Sequence, residues 1–262
     1  MNRAGSTLPC STVPAEGATG PKGNAMSKRR VLVTGASKGI GRAVVDRLVA
    51  DGHEPIGLAR SAPSDFPGEF RAVDLADRQA TAAVLEQIVA DGPVDAVVNN
   101  VGLARFGHIG SVDLDDLSLA YDMNVRTAVQ VVQAALPGMV EAGWGRIVNV
   151  SSLTTLGVAE RTPYAAAKGA LETATRIWAR ELAPSGITVN AVAPGPTETE
   201  MYRERSPVGS EREALLLRGI PLQRVGTPAE IAHVICTLLH EDAGYVTGQI
   251  IRVDGGGSIG AT

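Results

Sequence analysis

The 262-residue sequence predicts an α/β fold: one doubly wound parallel sheet of about seven strands, flanked by helices. Three observations predict it. From Arg30 onward, short β-branched runs alternate with stretches of helical spacing. Most of the runs are apolar along their whole length, as expected of parallel strands buried on both faces. A glycine-rich turn follows the first run and opens the first helix.

The elements follow in order. Arg30–Thr34 reads as the first strand and 40–51 as the first helix. Strands are expected at 55–59 and 69–73, then a helix over 77–91 with Val84, Leu85, Ile88 and Val89 on its inner face. A fourth strand is expected at 94–98, one or two helices within 114–142, and a fifth strand at 146–150. A helix over Thr162–Leu182, a strand at 187–192, a helix at 228–240 and a strand at 249–253 complete the alternation. Right-handed crossovers make this a single-domain Rossmann-type fold over 29–262. Segment 196–222 reads as a small, mobile helical lid over the substrate. Its Met201, Tyr202, Val208, Leu215, Leu216, Leu217 and Ile220 either line a pocket or pack the lid itself.

Residues 1–28 read as a disordered N-terminal extension, rich in Gly, Pro, Ser and Thr, with little to bury. It lacks the apolar core of a secretory signal, and Met26 offers an internal start. Charge is uneven: residues 1–30 carry a net +4 and the remainder −8, for a total of −4. Mild acidity and 3% aromatic content argue against nucleic-acid binding. Cys10 and Cys236 make no CxxC pair, and His53, His108, His233 and His240 have no metal-ligand spacing, so no metal site is expected. No apolar run reaches the length of a membrane span, and a cytoplasmic protein is expected.

The turn after the first strand places Gly35, Gly39 and Gly41 in a GxxxGxG pattern with Ser37, Lys38 and Ile40 between them. Gly35 suits a tight turn, Gly39 a close approach of backbone to a pyrophosphate, and Gly41 close packing of helix on sheet. At the end of the second strand no acid is available for a ribose 2′-hydroxyl, while Arg60 and Lys38 suit a 2′-phosphate. NADP(H) is therefore the preferred cofactor, with NAD(H) as the alternative; Arg60 as a solvated surface charge is the plainer reading. Asp74, beside Leu75 after the third strand, is placed either to accept from an adenine amino group or to cap the next helix.

Tyr164-Ala-Ala-Ala-Lys168 puts a phenol and an ammonium one helical turn apart. The ammonium is expected to lower the phenol pKa, so that Tyr164 exchanges a proton with a substrate oxygen near neutral pH. The fifth strand ends in Ser151 and Ser152, twelve residues or so before the tyrosine. A strand end and a following helix can bring Ser152 and Tyr164 onto one oxygen, although helix capping also explains such hydroxyls.

With these motifs, and with Asn99-Asn-Val-Gly102, Asn124, Pro194-Gly195 and Val253-Asp-Gly-Gly256, the sequence resembles the short-chain dehydrogenase/reductase family over about 30–257. It is most similar to members resembling 3-oxoacyl-[acyl-carrier-protein] reductase. The resemblance implies an NAD(P)-dependent enzyme that interconverts a small-molecule carbonyl and an alcohol through an Asn-Ser-Tyr-Lys tetrad. Tyr164 would be the general acid/base and Ser152 would hold the substrate oxygen. Lys168 would bind the nicotinamide ribose, and Asn124 would fix a relay water. Asn100 and Gly102 would line the adenosine-ribose side, while Pro194, Gly195, Thr197 and Thr199 would cover the nicotinamide and pyrophosphate. A homotetramer is also implied.

Three departures stand out. Val101 replaces the family's alanine. The family's serine-to-tyrosine spacing lands on Ser151, whereas strand register lands on Ser152, one residue being lost from the loop 153–163 that carries Leu153, Leu156 and Arg161. The two positions where fatty-acid-synthesis members carry basic residues for carrier docking hold Gly143 and Ser185. Arg146, Arg176 and Arg180 read as ordinary surface charges instead. Docking of an acyl carrier protein is thus left open.

Overall fold

The computed structural model describes residues 28–259. The expected disordered extension lies outside the described residues, except for Lys28. Seven parallel strands form one sheet in the order β3-β2-β1-β4-β5-β6-β7. They are β1 Arg30–Thr34, β2 Glu54–Ala59, β3 Glu69–Ala72, β4 Ala96–Asn99, β5 Gly145–Val150, β6 Ile187–Pro194 and β7 Ile250–Val253. The helices are α1 Gly39–Ala50, α2 Arg78–Ala90, α3 Leu114–Tyr121, α4 Thr127–Ala142, α5 Thr162–Leu182, α6 Glu200–Arg203, α7 Glu211–Arg218 and α8 Pro228–Leu239.

Strand alternation divides the core in two. Leu32, Val97, Ile147 and Val189 meet Leu85 and Ile88 of α2, Val131 and Met139 of α4, and Ala179 of α5. Val31, Val33, Val98 and Val148 face the other way, toward Val44 and Leu48 of α1 and Ile231 and Ile235 of α8. Central strands β4, β5 and β6 are buried throughout, but edge strands β3 and β7 are only half-buried. Fully buried strands are thus a property of the sheet centre, because an edge has a neighbour on one side alone.

Two sequence expectations change, and the stretch expected to hold one or two helices holds two. Val89 is exposed, and the buried stripe of α2 is Thr81, Leu85 and Ile88. These three follow helical spacing, whereas Val89 lies a further 100° around the axis. The 114–142 stretch is α3 and α4 joined by a π-helical turn, Asp122–Arg126. Arg146 is 4% exposed, not a surface charge: its guanidinium donates to the carbonyl of Gly145 at 2.9 Å and lies over Trp144. Burial pushes its pKa down.

The caps follow the sequence closely. Asp77 accepts from the main-chain N–H of Gln79 and Ala80, and Thr227 and Glu230 form a reciprocal capping box at α8. The corrected α2 face is testable by urea denaturation. Ile88→Ala is expected to cost about 2–5 kcal/mol through the cavity it leaves, and Val89→Ala to stay within about 0.5 kcal/mol.

Candidate active site

Strand ends bring the glycine turn, the serines and the lid to one edge of the sheet. Gly35 has φ +64°, a backbone conformation open to glycine. A Cβ on Gly41 would strike the Gly35 carbonyl and the Asn100 amide. Asn100 donates that amide to the carbonyls of Thr34 and Gly35 at 3.0 and 3.1 Å, so it shapes the glycine turn from behind. The N-cap of α1, Lys38, makes no side-chain cap, and the first turn contains no acid. The helix start, beside half-buried Ser37, Gly39 and Ile40, is therefore left for an exogenous anion. These residues fit the pyrophosphate of a dinucleotide.

Around that turn, Arg60 is exposed at the end of β2, with no hydrogen bond or ion pair from its side chain among the described residues. Lys38 is paired with Glu200 at the start of α6, so its charge is already countered. Asp74 accepts from the N–H of Ala76 at 3.0 Å, a local turn bond that leaves its second carboxylate oxygen free. Leu75 is a core side chain, 3% exposed, whose carbonyl accepts from Arg126. Gly195 abuts Asp254, Thr197 donates to the Gly195 carbonyl at 2.9 Å, and Thr199 caps α6 while its methyl approaches Gly39.

Helix α5 carries the reactive face. Tyr164, Lys168, Glu172 and Thr175 follow one another at intervals of four, four and three residues, which places them on one side of the helix. Lys168, 2% exposed, donates to the Val150 carbonyl at 2.7 Å. Glu172 accepts from Ser151 at 2.7 Å and from Thr155 at 3.0 Å, and Thr175 accepts from Asn149 at 2.8 Å. Ser151 is thereby turned to Glu172. Ser152 accepts from the N–H and hydroxyl of Thr154, and its hydroxyl lies close enough to Tyr164 to favour the phenolate. Capping and juxtaposition with Tyr164 are both properties of Ser152.

The expected effect of Lys168 on Tyr164 is corrected. Burial holds the phenol above its ordinary value, and the opposing influences are Ser152 and the Arg161 guanidinium. The Lys168 ammonium lies 5.8 Å from the tyrosine ring centre. Its own burial lowers its pKa to about 7. A cation half-neutralised by desolvation exerts little pull on its neighbour.

Asn124 sits in the π-helical turn and is 2% exposed. Its amide donates to the carbonyls of Ala120 and Leu103 and accepts from the Leu103 N–H. Its side chain therefore anchors the loop after β4. Gly102 lies between Asn124 and Lys168, where a Cβ would come within 3.4 Å of both side chains.

The lid residues divide. Met201, Val208 and Leu215 are exposed, while Ile220 is buried and packs beneath Gly255 rather than lining a pocket. Arg203 bridges Glu198 and Glu213 within the lid. Phe106 was not singled out by sequence reading. It meets Tyr164 edge to face at 6.4 Å, and its loop gave no periodic signal. Glu172 was hidden as an apparent surface acid of α5. Its spacing of four from Lys168 was the available clue.

Residues 35–258 match the family model described as enoyl-(acyl carrier protein) reductase. The chain belongs to the short-chain dehydrogenase/reductase family. A 3-oxoacyl-[acyl-carrier-protein] reductase of Pseudomonas aeruginosa is 40% identical over 238 residues, covering 86% of this chain and 95% of that one. The ligand-free aldohexose dehydrogenase of Thermoplasma acidophilum superposes with a TM-score of 0.83 at 29% identity, covering 88% and 94% of the two chains. A candidate NAD(P)-dependent gluconate 5-dehydrogenase of Beutenbergia cavernae, solved with NADP at low occupancy, gives 0.83 at 31% identity, covering 89% and 98%. This short-chain dehydrogenase/reductase is an oxidoreductase of an NAD(P)-binding family. No helix among the described residues is long and apolar enough to cross a membrane, and none of their side chains cluster as metal ligands.

Two measurements probe the site. Gly41→Val is expected to displace the Gly35 carbonyl and weaken NADPH binding, read by nucleotide fluorescence titration. Lys168 contributes a pH dependence to stability. Its pKa is about 7 folded and 10.5 in the unfolded chain, so between these values the unfolded state binds the extra proton. Raising pH through this window therefore favours the folded state. Denaturation midpoints should rise from pH 7 to 9 in the wild type relative to Lys168→Met.

Proposed function

We propose that the protein is an NADP(H)-dependent oxidoreductase interconverting a carbonyl and a secondary alcohol, with Tyr164 as general acid/base. The observation that carries this is the meeting of Ser152 with Tyr164 above Lys168, all positioned by the β5–α5 junction. When bound, the nicotinamide coenzyme supplies a hydride for reduction and accepts one for oxidation. Tyr164 gives its proton to the nascent alkoxide oxygen, and Ser152 donates a hydrogen bond to the same oxygen. A phenol held above its ordinary pKa is protonated at neutral pH, the form that reduction requires. Lys168 would hold the coenzyme ribose and, with a water fixed at Asn124, would restore the tyrosine proton.

Gly35, Ser37, Gly39, Ile40 and Gly41 would cradle the pyrophosphate, and Arg60 would take a 2′-phosphate. Asp74, Leu75, Asn100 and Gly102 would border the adenosine, and Pro194, Gly195, Thr197 and Thr199 the nicotinamide. The candidate substrate is a 3-oxoacyl thioester, supported by relatives named for that activity. A small free ketone, alcohol or sugar is the second reading. Gly143 and Ser185, the carrier-docking positions, are uncharged, and a Cβ on the next residue, Gly186, would strike the Gly143 carbonyl, so the two positions are neighbours without a cation of their own. Family resemblance adds two further proposals, a homotetramer and a cytoplasmic location.

An NADPH-consumption screen comparing acetoacetyl-type thioesters with free ketones tests the substrate reading. Tyr164→Phe is expected to lose about a hundredfold to ten-thousandfold in kcat with NADPH binding retained; undiminished turnover would sink the assignment. Arg60→Ala should reduce the preference for NADPH over NADH by about tenfold or more, in the ratio of kcat/KM values.

A further inference from the structure

Beside the candidate active site, two arginines stack on one aromatic ring and a third lies within electrostatic reach. Phe106 carries the Arg161 guanidinium at 4.0 Å from its ring centre and the Arg205 guanidinium at 3.8 Å. The same ring meets Tyr164 at 6.4 Å. Arg212, at the start of α7, repels Arg161, as Arg205 does. None of the three forms an ion pair among the described residues, and the Nε of Arg161 is buried with no hydrogen-bond partner. The one nearby carboxylate that acts on Arg161, Glu160, is bonded to His108 at 3.1 Å. Arg161 is also the N-cap of α5, the end of a helix where a cation is disfavoured.

Fold stability does not account for this arrangement. Mutual repulsion acts against all three cations, and partial burial, an orphaned donor and the helix dipole act against Arg161 as well; an anion would reverse each of these. The loop before Tyr164 brings Arg161 to the reacting centre, while Arg205 and Arg212 come from the lid.

We propose that Arg161 and Arg205, with Arg212 adding its charge, bind an anionic group of the substrate, so that the enzyme takes an oxo or hydroxy compound bearing a carboxylate or phosphate near the reacting carbon. The proposal rests on the carbonyl-reductase reading and specifies its substrate class. Because one ring, Phe106, meets both the Arg161 guanidinium at 4.0 Å and Tyr164 at 6.4 Å, the anion lies a few bonds from the carbonyl. A free oxo acid fits that spacing better than the remote phosphate of a carrier thioester. A carboxylate on the guanidiniums also links substrate entry to the lid, since two of the three cations ride on it.

Four compounds with one ketone separate the cases: 3-oxobutanoate, its methyl ester, the coenzyme A thioester, and the phosphate-free thioester of N-acetylcysteamine. The acid is expected to exceed the ester in kcat/KM by about tenfold or more. That ratio should collapse toward unity in Arg161→Gln and be partly kept in Arg161→Lys. A ratio is used because loss of the Arg161 charge also alters Tyr164 and so affects every substrate. If instead the coenzyme A thioester outruns the phosphate-free thioester, and Arg161→Gln removes that advantage, the anion is a phosphate. Ratios unchanged in both Arg161→Gln and Arg205→Gln overturn the proposal. Calorimetric titration of 3-hydroxybutanoate into NADP⁺-loaded Tyr164→Phe protein decides the anion site without turnover. Binding that Arg161→Gln weakens supports it, and absent or unaltered binding overturns it. Arginine-dependent binding with no ketone reduced by wild-type protein would remove the reductase reading and keep the anion site.

Discussion

The docking of α5 onto the end of β5 is the constraint on which the rest of the site depends. Three successive residues of the strand end, Asn149, Val150 and Ser151, each bond a side chain of the helix: Thr175, Lys168 and Glu172. The bonds lie among buried groups, where a donor or acceptor left alone would be costly, so each partner specifies the other. The network extends through Asn149 to Asn99 on β4. Rotating or sliding α5 by one residue would break all three helix bonds together. Tyr164, one turn before Lys168, has its position set by that lock, and Ser152 is the first residue beyond it.

A second lock forms the coenzyme side. Asn100, from the end of β4, reaches back to the carbonyls of the glycine turn after β1, and Gly41 closes on the same carbonyl. The turn is therefore shaped by the strand beside it as well as by its own glycines. This leaves an uncapped helix start with its N–H groups and dipole directed at the place where a diphosphate fits. The net charge of −4 conceals this local arrangement. An acidic protein presents cations at Arg60 beyond β2 and at the arginines beside Phe106, while many of its other arginines are paired with neighbouring carboxylates.

Much of this was legible from sequence because local chemistry repeats. Apolar runs separated by helical spacing marked every strand within a few residues, and α5 was read at its observed bounds. The glycine turn and the tyrosine–lysine spacing are encoded within eight consecutive residues or fewer. What escaped was decided by contacts distant in sequence. Arg146 looked like a surface cation because nothing adjacent in sequence reveals that the distant carbonyls of His240 and Glu241 close over it. Val89 looked buried because apolarity alone does not distinguish two neighbours at a stripe's edge. Tyr164 was expected to be acidified by Lys168, an inference that counts charge but cannot count desolvation, and desolvation affects both groups.

The sequence by itself determined the α/β alternation, the single sheet, the family and the tyrosine–lysine pair one helical turn apart, because each is written in short-range pattern. Only the tertiary structure decided which serine faces Tyr164. Adjacent strand-end residues diverge, and Glu172, on a helix that begins beyond the intervening loop, claims Ser151 and leaves Ser152 to the tyrosine. It alone also brought Arg161 and Arg205 onto Phe106 with Arg212 in electrostatic reach, since cations from separate segments become one electrostatic site through the folding of the lid against the loop before α5.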